Sequence, residues 1–191
     1  MSDSNLYTNK VRAKKMMLLF ALLSITMTFA GLTSAYLVSK GRPDWLVDFQ
    51  LPNLFFYSTL IIILSSLTIQ ISHHYVKTNQ SKNKVIIWLV TTFLLGLVFC
   101  FLQFYSFKSL IEMGYFFAGA QSTITTSFIY VLTFLHGIHL LAGLIVLTVL
   151  LYNTIKNKYN DNILGFELGL YFWHFLDILW VYLFLFFYFF G

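Results

Sequence analysis

Three ionisable side chains interrupt an otherwise apolar run, Phe166-Glu167-Leu168-Gly169-Leu170-Tyr171-Phe172-Trp173-His174-Phe175-Leu176-Asp177. On a helix turning 100° per residue, Glu167 and His174 fall within about 20° of each other. Asp177 is one turn beyond His174 on the same side. A second run, Thr133-Phe134-Leu135-His136-Gly137-Ile138-His139, is followed by Gly143. His136 and Gly143 share a face, and His139 stands one turn before Gly143. Imidazoles so spaced could ligate haem or a metal, and the Glu167–His174–Asp177 stripe could relay protons. The plainer chemistry is adhesion. Small residues let a neighbouring helix come close and histidine hydrogen-bonds across the contact. A pairing of His136 or His139 with Glu167 or Asp177 is the expected form of that contact. His73-His74 stands at a run's end where water is available and carries no specific expectation. Tyr182 to Phe190 reads as lipid-facing and interfacial surface.

The elements that must carry these residues are set by composition. Of 191 residues, 59% are hydrophobic and 10% charged, and the mean hydropathy is +0.77. A soluble domain carries roughly 25% charged residues, so a water-facing surface cannot be assembled from this chain. Charged and polar residues divide it into five apolar stretches at about 16–39, 54–72, 85–107, 125–155 and 163–190. Each approaches or exceeds the roughly 20 residues a helix needs to cross about 30 Å of hydrocarbon. Backbone groups in lipid must be paired within the segment, which favours helices over barrel strands at these lengths. The expected fold is an all-α bundle of five transmembrane helices in a single domain, 1–191. The first stretch, at 24 residues, exceeds the about 7–15 of a signal-peptide core and reads as a retained helix.

Nine Lys and Arg residues lie in the N-terminal tail and the second and fourth loops, against three (Lys40, Arg42, Lys108) on the opposite side. The positive-inside rule then puts the N-terminus in the cytoplasm and the C-terminus outside. The net charge of +5 is accounted for by these topology-setting residues, which argues against nucleic-acid binding. The single cysteine, Cys100, cannot form an internal disulfide and reads as a small hydrophobe.

Phe172-Trp173-His174-Phe175-Leu176-Asp177-Ile178-Leu179-Trp180 resembles the Tyr-Trp-His-Phe-Val-Asp-x-x-Trp signature in the final helix of subunit III of cytochrome c oxidase and its quinol-oxidase relatives. Thr133 to His139 with Gly143 resembles that family's Thr-Gly-x-His-Gly-x-His motif. Leu64-Ser65-Ser66-Leu67-Thr68 resembles its Leu-Ser-Ser-x-Thr stretch. Leu95-Gly96 and Phe99 followed by Gln103 resemble the third-span pattern, and Phe29-Ala30-Gly31 with Tyr36 the first. The likeness runs through all five stretches in order. Three positions depart from it: Ile25 where the family often has glutamate, Phe134 in place of glycine, and Phe172 in place of tyrosine. Phe134 suggests a changed local helix contact, and Ile25 puts in doubt a proton-antenna or headgroup role there.

The resemblance implies a non-catalytic subunit of a proton-pumping terminal oxidase, packed beside subunits I and II in the bacterial inner membrane as a multi-pass protein. It implies no catalytic, cofactor or metal site in this chain, with haem and copper held by the partners. One cysteine agrees, since the copper site of subunit II needs two. It also implies bound phospholipid between helices, support of proton uptake, a place among the respiratory complexes and a five-helix form lacking two N-terminal helices of longer relatives. The structural, lipid or subunit contacts are expected at Ser65, Ser66, Gln103, His136, His139, Gly143, Glu167, Trp173, His174, Asp177 and Trp180. Two other classes stand beside this reading: a small membrane cytochrome ligated by His136, His139 or His174, and a transporter or ion channel lined by the Glu167–His174–Asp177 stripe.

Overall fold

The computed structural model describes residues 3–42, 45–46, 51–78, 81–119, 122–159 and 162–190, with side chains from Thr8 onward; residues 1–2 and Gly191 of the expected 1–191 domain lie outside them. Five helices follow one another: α1 (Asp3–Val38), α2 (Asn53–Lys77), α3 (Lys82–Glu112), α4 (Ile124–Ile155) and α5 (Leu164–Phe190), with a short 3₁₀ turn at Ser39–Gly41 after α1. All five are long and apolar enough to cross a membrane, and no strand occurs among the described residues. Each helix is longer than the apolar stretch that anticipated it or close to it in length. The largest excess is in α1, whose 36 residues span about 54 Å at 1.5 Å per residue. Its first turns, with Lys10, Arg12, Lys14 and Lys15, therefore extend past the hydrocarbon.

Local chemistry sets the ends. Pro52 precedes α2, where its missing N–H costs no helical bond. Thr123 caps α4: its hydroxyl accepts from the Thr126 backbone N–H, and the Thr126 hydroxyl accepts from the Thr123 N–H in return. At the end of α3, Gly114 takes φ +83° and the Tyr115 N–H reaches back to the Leu110 carbonyl (2.9 Å), the glycine-terminated stop of a helix. Asn157 does the same for α4 at φ 57°, with Lys158 N–H on the Asn153 carbonyl.

Packing is uneven. α2 and α3 form the most extensive contact, and α5 lies against both α2 and α4. Half of the apolar window of α5 is buried but only 11% of that of α1. α1 touches α4 and α5 chiefly through its C-terminal half, where Phe29, Thr33 and Tyr36 are buried. The Tyr36 ring meets Trp45, Phe128 and Phe186 edge-on, and its hydroxyl donates to the Phe190 carbonyl (3.2 Å). Ile25, at the position of the family's carboxylate, is half-buried against the apolar core.

Candidate functional site

The site is built from α5 outward. One face of that helix carries Trp173, Asp177 and Trp180, all at most 3% exposed, with His174 half-buried beside them. Trp173 fits because its neighbours are small. A Cβ added to Gly96 on α3 would stand 2.9 Å from the Trp173 ring, and one added to Gly143 on α4 would stand 3.1 Å from it. The ring's Nε1–H donates to Ser65 Oγ on α2 (3.1 Å). A single indole thus joins α5 to three other helices.

Two turns later Trp180 repeats the arrangement. Its Nε1–H donates to Thr59 Oγ1 on α2 (3.1 Å), and its ring stacks on Phe55 and meets Phe99 edge-on. The His136 ring of α4 lies 5.0 Å from it, centroid to centroid. His174 completes the seam. Gln70 Oε1 can only accept, so His174 Nε2–H donates to it (3.0 Å). In the neutral ring Nδ1 then accepts from the Ser66 hydroxyl (2.6 Å). Ser66 also stands beside Asp177, and Glu167 lies within electrostatic reach of His73. The result is a row of polar contacts between α2 and α5, reinforced between α2 and α3 by Thr68–Thr92 (2.8 Å) and by Gln103 Nε2–H on Ser58 Oγ (2.9 Å).

Several expectations change. The α4 histidines do not bond to Glu167 or Asp177. His136 is fully buried with neither ring nitrogen hydrogen-bonded among the described residues, and His139 Nδ1 contacts the Leu135 carbonyl of its own helix (2.8 Å). The hydrogen-bond partners of Trp173, His174 and Trp180 sit on α2, which supplies Thr59, Ser65, Ser66 and Gln70. Serine and threonine at helical spacing inside an apolar run were the signal that could have placed them. Gly143 does bring α4 and α5 together, but apolar atoms occupy the contact: its added Cβ would meet Leu176 at 2.8 Å. Phe134 is 65% exposed. His73, given no role by the sequence, stacks on Phe166. The aromatic end of α5 is only partly lipid-facing: Leu183, Phe186 and Phe187 are buried, and the Tyr182 hydroxyl bonds Thr33 of α1 (2.9 Å).

This geometry joins helices. Among the described residues no three His, Cys, Asp or Glu side chains are grouped to hold a metal ion. Residues 6–191 match the family model for cytochrome c oxidase subunit III. The chain belongs to the cytochrome c oxidase subunit III family. It is 40% identical over 145 residues to a protein of Buchnera aphidicola subsp. Baizongia pistaciae (strain Bp) named cytochrome bo(3) ubiquinol oxidase subunit 3, covering 73% of this chain and 70% of the relative. It is 32% identical over 164 residues to cytochrome c oxidase subunit 3 of Bacillus sp. (strain PS3), covering 83% and 77%. With the probable cytochrome c oxidase subunit 3 of Rickettsia felis it shares 31% over 167 residues, 84% of this chain and 57% of that one. As a subunit III it is a multi-pass membrane protein that associates with other subunits of a terminal oxidase, in a family without a metal centre of its own. The tryptophans, glycines and serines of the seam are the same residues that carry the family likeness.

Proposed function

We propose that this chain is the structural, non-catalytic subunit of a proton-pumping terminal oxidase, packed beside subunits I and II in a bacterial inner membrane with its N-terminus in the cytoplasm. The observation that carries the reading is the Trp173–Ser65 and Trp180–Thr59 lattice: both buried indole N–H groups of α5 are spent on helix adhesion, and the family is that of a terminal-oxidase subunit. Haem and copper sit in the partners, and this chain supports proton uptake and lengthens the life of the working enzyme. It also binds phospholipid and takes a place among the respiratory complexes. A cavity of about 440 Å³ bounded by Leu18 of α1, Val149 and Leu150 of α4 and Leu168 and Phe172 of α5 supports the lipid part. Its apolar walls suit acyl chains, and Lys14 and Lys15 lie one turn from its rim, suiting anionic headgroups.

The electron donor of the complex is cytochrome c in the first reading. A second, in which the donor is a quinol, is favoured by the 40% identity to a subunit named for ubiquinol oxidation. Affinity purification from the native membrane in mild detergent tests both. Haem- and copper-bearing chains are expected to co-purify, and one with a two-cysteine copper site marks the cytochrome c form, its absence the quinol form. Recovery of this chain alone, with haem absorption of its own, would replace the proposal by the small-cytochrome reading.

A further inference from the structure

A second cavity, of about 150 Å³, opens between α3 and α4. Its mouth is hydrocarbon-facing surface, since Phe104, Phe134 and Leu141 are 72%, 65% and 55% exposed. Its walls are apolar, with three buried polar side chains among the lining residues. Gln103, Thr133 and His136 line it, at 9%, 2% and 1% exposure. Gln103 Oε1, Thr133 Oγ1 and both ring nitrogens of His136 have no hydrogen-bond partner among the described residues. The Ser58 hydroxyl donates to the Phe55 carbonyl (2.9 Å) and accepts from Gln103 Nε2–H, and in this arrangement Oε1 is the amide atom left without a donor. Buried polar atoms without partners are costly in hydrocarbon.

We propose that this cavity binds a neutral long-chain molecule with a hydroxyl head, its O–H seated against Gln103, Thr133 and His136 and its chain leaving past Phe104 and Leu141 into the bilayer. Four features select that chemistry. The walls carry no Asp, Glu, Lys or Arg, so a charged head has no counter-ion. Gln103 Oε1 needs a donor, which a hydroxyl has and a carbonyl lacks. Thr133 O–H and a His136 N–H supply donors for the hydroxyl oxygen in return. His136 lies twelve residues into α4, about 18 Å from that helix end at 1.5 Å per residue. A phospholipid headgroup stays at the interface, whereas a neutral hydroxyl compound dissolved in the hydrocarbon reaches this depth. Quinols and hydroxyl-headed lipids share this chemistry.

The test uses the intact oxidase complex in lipid nanodiscs and a decanol carrying a diazirine beside its hydroxyl. After irradiation, adducts are expected on the segments 99–107 and 133–141, saturable and displaced by decan-1-ol. Decan-2-one accepts hydrogen bonds but donates none, and is expected to displace about tenfold more weakly. Displacement by a decyl-tailed quinol as well assigns the site to quinols; displacement by the alcohol alone assigns it to a hydroxyl-headed lipid. Gln103→Leu removes the acceptor, and Gly137→Leu fills the cavity from a position where an added Cβ meets nothing within 4 Å. Each is expected to cut these adducts about tenfold, while labelling at the exposed Met17 of α1 stays constant. Labelling that rises linearly with probe, or ketone and alcohol displacing equally, would overturn the proposal. The displacement series needs only the unmodified complex, so it decides the matter even where a variant fails to assemble.

Discussion

Trp173 concentrates the chain's adhesion at a single ring: a hydrogen bond to α2 and two glycine faces, on α3 and α4. In hydrocarbon no hydrophobic gain drives helix association, so packing and interhelical hydrogen bonds must do so, the latter averaging about 0.6 and reaching about 1.7 kcal/mol. Ser65→Ala leaves a buried indole N–H without an acceptor and should cost about 1–2 kcal/mol, read as a lowered unfolding free energy in a detergent titration. The glycines give a sharper contrast. Gly143→Ala places a methyl 2.8 Å from Leu176 Cδ1 and 3.1 Å from the Trp173 ring, and overpacking of this kind costs about 1–3 kcal/mol. Gly137→Ala, six residues earlier on the same helix, meets nothing within 4 Å and should be neutral. Equal losses from the two, measured by the same titration, would remove close packing as the explanation.

At the scale of elements, the five spans were legible because lipid imposes one rule on every backbone group, and long uncharged runs answer it with helices. The motif residues were legible as a set. Which helix each would face was not. His136 and Asp177 looked like partners because each is costly alone in lipid, yet register and side-chain reach send His174 to Ser66 and Gln70 instead. A single sequence shows which face of a helix is polar but not which neighbour meets it. For the same reason Thr59 and Gln70 of α2 were not singled out beside Ser65 and Ser66, because such residues pass as ordinary helix residues. α1 offers the prediction at this scale. It is fastened near its C-terminal end by Thr33–Tyr182 and Tyr36–Phe190, and its earlier turns are largely exposed, with Met17, Phe20 and Met27 at 72%, 63% and 75%. Thr33→Val combined with Tyr36→Phe should release it: amide exchange in α1 of the detergent-solubilised chain rises while that of α2–α5 stays constant. A uniform rise across all five helices would show that α1 is integral to the bundle's stability.

At the scale of the whole molecule, the bundle has a firm seam on α2, α3 and α5 and a loosely held first helix beside an apolar cavity. That division suits a subunit that braces a catalytic neighbour and holds lipid against it. If, as proposed, no step of oxygen reduction runs through its residues, losing it should affect endurance more than chemistry. His174→Ala weakens the α2–α5 seam and should act in the same direction as removing the chain, to a smaller degree. The most direct test is oxygen consumption by the purified complex with and without this subunit, followed from the first turnovers to inactivation. The account predicts an initial rate of the same order in both and a markedly faster loss of activity without the chain. Immediate loss of all oxygen reduction, in a complex whose haem and copper remain in place, would contradict it.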